Sequence, residues 1–72
     1  MSNNVGRKWQ ARVIAEKDEL SRRLNGLAFL IASERFGYLA ELEQDLLNEQ
    51  YEAMLKYQLV LKRIIDMFSE LH

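Results

Sequence analysis

Trp9 is the only tryptophan among 72 residues, and Arg7, Lys8 and Arg12 surround it. A large aromatic face flanked by cations can stack a nucleobase while positive charge meets its phosphate. Base–aromatic stacking is worth about 1–3 kcal/mol per base. The same ring can instead anchor a helix end by burial alone. Two basic pairs, Arg22-Arg23 and Lys62-Arg63, each project charge in two adjacent directions from a helix. The planar fork of arginine suits two phosphate oxygens at once, although a surface arginine commonly serves only solvation.

Other chemistries find little support. The chain has no cysteine, so it carries neither a disulfide framework nor a thiolate metal site. Its single histidine is His72, the last residue, which leaves a Ser-His-Asp triad, a Cys-His pair and a His-rich metal site without material. Glu41, Glu43, Asp45, Glu49 and Glu52 form an acidic run with no basic residue, and Glu41, Asp45, Glu49 and Glu52 follow helical spacing along one face. Di-iron bundles pair such carboxylates with Glu-x-x-His motifs, and none is present, so the run reads as a solvated face. There is no Gly-rich phosphate loop. No catalytic group, metal site or cofactor is expected.

Charge is divided along the chain, with a net of +3 over residues 1–35 and −4 over residues 36–72, for a total of −1. A DNA duplex surface would show a larger basic excess, whereas a small polyanion needs only a few cations. The N-terminus has no apolar run of the kind a signal peptide needs. No stretch approaches the length of a membrane span. A cytoplasmic protein without a membrane partner is expected.

The elements that must position these groups are two helices. In the first, Leu20, Leu24, Leu27 and Ile31 follow a four-three seam that Val13 extends backwards. Lys17 falls on that seam, either snorkelling its head to water or facing an interface. Helix 1 is predicted over about residues 5–32, with Ser2, Asn3 and Asn4 as candidate N-caps. Gly26 lies inside it, where it either weakens the helix by about 1 kcal/mol or permits close approach of a backbone or ligand. Ser33 and Gly37 mark a turn over about residues 33–38, short enough to make the helices antiparallel neighbours.

Helix 2 is predicted over about residues 39–71. One apolar row runs Leu39, Leu46, Ala53, Val60, Met67. A second runs Leu42, Tyr57, Ile64, Leu71, interrupted by Gln50, a polar residue able to fix register. A third runs Leu47, Met54, Leu61, Phe68, widened by Ile65. Three rows exceed what one partner helix can cover. The expected fold is therefore all-α: a single antiparallel two-helix hairpin domain over residues 1–72, assembled into a homo-oligomeric helical bundle. Size points the same way. A compact globule of 8.5 kDa keeps roughly 4,700 Å² of about 12,300 Å² accessible when unfolded. The burial is worth on the order of 110 kcal/mol, against an ordering cost of about the same size.

The stretch from Trp9 to Leu20, WQARVIAEKDEL, resembles the opening of the phage anti-CBASS protein 2 family. Gln50-x-x-x-Met54-x-x-Tyr57-x-x-x-Leu61-x-Arg63-Ile64 resembles its second helix, and the likeness spans about residues 9–65. The hairpin is shared with an anti-Thoeris phage protein. The resemblance implies a homohexamer, acting in the cytoplasm of an infected bacterium, that sequesters the cyclic oligonucleotide messengers of anti-phage signalling without cleaving them. It implies cyclic dinucleotides in pockets between protomers and cyclic trinucleotides near three-fold axes. The base-stacking aromatic of the family matches Trp9, its phosphate-binding cation in helix 1 matches Arg23 or Arg22, and its trinucleotide-linked arginine matches Arg63. Lys8, Arg12 and Gly26 complete the candidate ligand-binding set. The competing expectation is a structural or adaptor coiled coil that binds a partner helix.

Overall fold

The computed structural model describes residues 2–70, with side chains from 8 to 69. Leu71, His72 and the side chain of Arg7 lie outside the described residues. Three helices follow one another: α1 (Ser2–Ile31), α2 (Glu34–Gly37) and α3 (Glu41–Glu70). Among the described residues there is no strand. α1 begins earlier than the sequence predicts, so the candidate caps Ser2, Asn3 and Asn4 fall within its first turn.

α1 and α3 run antiparallel. Trp9 near the start of α1 meets Phe68 near the end of α3, and Ser21 in the middle of α1 meets Gln58. The core holds Val13, Leu20 and Leu24 from α1 against Leu61 and Phe68 from α3, with Tyr51, Met54, Leu55, Ile64 and Ile65 packed around it. The seam expected of helix 1 is therefore the buried one. Lys17 sits half-buried on it, 29% exposed, with its ammonium 3.5 Å from the Asp18 carboxylate, as a snorkelling lysine requires.

The polar residue that crosses the seam differs from expectation. Gln50 is exposed, its amide directed at the Met54 sulfur. Gln58 instead donates from Nε2 to Ser21 Oγ at 2.7 Å between the helices. Gln50 lies one position before the row that faces α1, about 100° around the helix, so it faces outward. A part-buried amide with one good partner favours one axial register over its neighbours.

The turn also differs from a simple loop, because one helical turn, α2, occupies most of it. Ser33 closes the end of α1 by donating from its hydroxyl to the Leu30 carbonyl at 2.6 Å. Tyr38 N–H and Leu39 N–H donate to the carbonyls of Arg35 and Phe36. No described residue has positive φ, so Gly37 is not present to supply a left-handed conformation. α3 opens after Ala40, whose N–H donates to Glu43 Oε1 at 3.0 Å. That is the carboxylate half of a capping box.

The result is a rod of 55 × 15 × 14 Å. Its accessible surface is 6006 Å², roughly 1,300 Å² more than a compact globule of this mass. The lone hairpin thus buries less than the near-balance reckoned from mass alone. Among the described residues no helix is long and apolar enough to cross a membrane.

Candidate functional site

The α1 candidates fall on one stripe. Trp9, Arg12, Glu16, Glu19, Arg23 and Gly26 alternate steps of three and four residues, which keeps them on one side of a 3.6-residue helix. Lys8 and Arg22 border it. The stripe lies one residue before the buried seam, so it faces solvent beside the core. Lys8, Trp9, Arg12, Arg22, Arg23 and Gly26 are all exposed.

Trp9 is 49% exposed. One edge meets the Phe68 ring, with centroids 5.8 Å apart at 69°. The indole is thus anchored to the core on one side and free on the other. The packing that anchoring requires is met while about half of the side chain stays open to solvent.

Glu19 lies between the two arginines. Arg22 Nη2 donates a hydrogen bond to its carboxylate, and Arg23 Nε lies 3.5 Å from the other oxygen. The hydrogen bond from Arg22, its charge and the nearby Arg23 together hold the Glu19 pKa below the usual carboxylate value. A carboxylate therefore occupies part of the fork that an incoming phosphate would use. Among the described residues, Arg12 and Arg63 carry no ion pair.

Gly26 has open space around it: a Cβ built there meets nothing within 4 Å. It lines a shallow groove of about 440 Å³ with Phe29, Leu30, Ser33, Glu34 and Arg35. Phe29, 79% exposed, is not among the residues singled out from the sequence. Its place two residues after Leu27, off the heptad seam, is the signal that would have marked it. Arg63 sits apart on α3, in a second groove of about 390 Å³ with Val60, Ile64 and Met67. Among the described residues no group of His, Cys, Asp or Glu is placed to hold a metal ion.

Helical rise sets the span of the stripe. Trp9 and Arg23 are separated by about 21 Å along α1 at 1.5 Å per residue. That is farther than a base lies from its own phosphate. One protomer presents the aromatic and the arginine pair at opposite ends, not in one pocket.

The Sequestin family profile matches residues 7–66, which includes Lys8, Trp9, Arg12, Arg22, Arg23, Gly26 and Arg63 and most of both long helices. The chain belongs to the Sequestin family. Sequestins are the anti-CBASS cyclic nucleotide sponges to which the sequence bears its resemblance, binding proteins of phage origin. The chain is also similar to an uncharacterised 7.5 kDa protein from the denB–rIIB intergenic region of Enterobacteria phage T4. It is 35% identical over 61 residues, which cover 85% of this chain and 95% of that one. No solved structure matches this sequestin chain.

Proposed function

We propose that this sequestin binds cyclic dinucleotides and cyclic trinucleotides in the cytoplasm of an infected bacterium and holds them intact, so that defence effectors are never triggered. The observation that carries this reading is the single α1 stripe, with a half-free indole at one end and an arginine pair at the other, in a member of a sponge family. Trp9 stacks a base, with Lys8 and Arg12 beside it. Arg23 and Arg22 meet a phosphate, and Gly26 lets the ring approach the helix. The two ends are too far apart to serve one dinucleotide from one chain. The pocket therefore takes Trp9 from one protomer and the arginines from another, in a homo-oligomer that the family likeness makes a hexamer. Arg63, repeated around a three-fold axis, faces the phosphates of a cyclic trinucleotide.

Thermal shift with a panel of cyclic nucleotides tests the binding step. A ligand at 100 times its dissociation constant stabilises the folded state by about 2.7 kcal/mol. Denaturing the loaded protein should then release unmodified cyclic nucleotide. Linear product would point to an enzyme, and no response to any member of the panel would favour an adaptor coiled coil. Calorimetry of Arg63→Ala separates the two site types. Trinucleotide affinity should fall by about 1.5–3 kcal/mol for each charge-assisted hydrogen bond removed, while dinucleotide affinity holds.

A further inference from the structure

In an antiparallel helix pair a two-fold axis relates the two seams. The flank one residue before the seam of α1 therefore lies on the same side of the hairpin as the flank one residue before the seam of α3. The first flank is the stripe with Trp9 and Arg23, and Trp9 reaches α3 on that side. The second runs in four-three steps from Leu46 to Met67, with Val60 and Met67 exposed. Gln50 and Tyr57 are its only polar side chains. The two interhelical contacts set the axial level. Counted from Ser21 and Gln58, Tyr57 stands level with Arg22. Counted from Trp9 and Phe68, it stands level with Leu20. Arg23 is within one turn, about 5.4 Å, of either level. From this juxtaposition we infer that Tyr57 is a further ligand-binding residue, whose hydroxyl donates a hydrogen bond to the phosphate held by Arg23. The inference rests on the proposed function and adds α3 to a dinucleotide site so far drawn from α1 alone.

Three observations favour Tyr57 for this contact. First, a helical side chain leans towards the N-terminus of its own helix. For Tyr57 that direction leads along α3 towards the level of Arg23. Gln50 lies about 10.5 Å further along the helix, with its amide directed at the Met54 sulfur. Second, Tyr57 is 43% exposed, and among the described residues its hydroxyl makes no hydrogen bond. Water serves that hydroxyl in the lone hairpin. Once ligand and a second protomer close over the ring, the hydroxyl needs a partner, and an anionic phosphate oxygen is a strong acceptor. Third, the α1 side of the site carries Glu16 and Glu19, and Glu19 already engages both arginines. The facing row of α3 carries no charged residue. A neutral phenol there donates to phosphate and attracts no carboxylate of its own.

Tyr57→Phe keeps the ring and removes only the hydroxyl. The probe is whichever of cyclic di-AMP, cyclic di-GMP and cyclic GMP–AMP the parent binds most tightly. Calorimetric affinity for it should fall about tenfold, the lower end expected for a hydrogen bond to a charged group. Melting temperature, helicity and mass by light scattering should stay at the parent values. The same ligand with sulfur in place of one non-bridging oxygen on each phosphate gives a readout that packing alone would not move. Sulfur accepts hydrogen bonds poorly, so at least one diastereomer should lose more affinity for the parent than for Tyr57→Phe. Equal affinity of parent and Tyr57→Phe, or an equal sulfur effect in both, overturns the contact and leaves the sponge function standing. A Tyr57→Phe variant of smaller mass also overturns it, since the hydroxyl then serves assembly. A parent that binds none of the three ligands overturns the proposed function, and the Tyr57 contact with it.

Discussion

Trp9 faces two ways, and its packing on Phe68 and its proposed stacking on a base can be separated by substitution. Trp9→Ala should cost about 1–3 kcal/mol of dinucleotide binding through the absence of stacking. It should also cost about 0.5–1.5 kcal/mol of stability for the lost T-shaped pair with Phe68, in addition to the burial lost with the half-buried ring. Phe68→Leu removes only the second effect, so it should lower the melting temperature yet leave calorimetric affinity near the parent value. Glu19 offers a further test of the arginine pair. Its carboxylate holds Arg22 and Arg23 and would compete with phosphate in the proposed site, so Glu19→Gln should tighten dinucleotide binding several-fold. The pH dependence follows with a definite sign. A carboxylate whose folded pKa is lowered contributes stability above its unfolded pKa, and that contribution is lost as pH falls through the folded value. Over the same fall the phosphodiester keeps its charge, so parent affinity should rise as Glu19 protonates, and Glu19→Gln should flatten that rise. Unchanged affinity in Glu19→Gln would remove the pair from the phosphate site.

At the scale of elements, Gly26 weakens α1 without any steric reason visible in the lone hairpin. Gly26→Ala should raise the melting temperature of the ligand-free protein, by about 1 kcal/mol of helix propensity. If the glycine admits the ligand ring, the same variant should bind cyclic dinucleotide more weakly. A stabilised variant with full affinity would show that Gly26 has no part in binding. Gln58 and Ser21 stand in a different position, since their hydrogen bond joins α1 to α3 at mid-length. Periodicity does not mark them, because a polar residue within an apolar row looks the same wherever the row faces. Gln50 and Gln58 lie eight residues apart on neighbouring rows, and only the packing of α1 against one row distinguishes them.

For the whole molecule, the excess surface of the rod and the exposed stripe on α3 describe the same deficit. Val60→Glu places a carboxylate in that stripe without touching the intramolecular core. Its expected outcome is a smaller species by light scattering that keeps its helicity, because an unpaired buried charge costs several kcal/mol at an interface. Met54→Glu is a poorer probe of assembly, since Met54 packs on the hairpin's own core and the substitution should unfold the chain.

The sequence by itself determined the helices, the antiparallel hairpin, the seam of α1 and the identity of the family. Each of these rests on local spacing: apolar residues at three and four, a short connection, and two motifs confined to single helices. It also determined that helix 2 is more apolar than one partner requires. Which row of helix 2 turns inward was decided only by tertiary structure. Three adjacent rows offer similar burial, and the choice of Leu47, Met54, Leu61 and Phe68 follows from how the two helices meet after α2. The same step turned Gln50 outward and Gln58 inward and laid Trp9 against Phe68. It also placed Glu19 on both arginines, a pairing open to the sequence in spacing but settled by side-chain direction. Residues on one helix are ordered by periodicity alone, whereas residues on two helices are brought together by the axial register and rotation of one against the other, and those are properties of the packed pair.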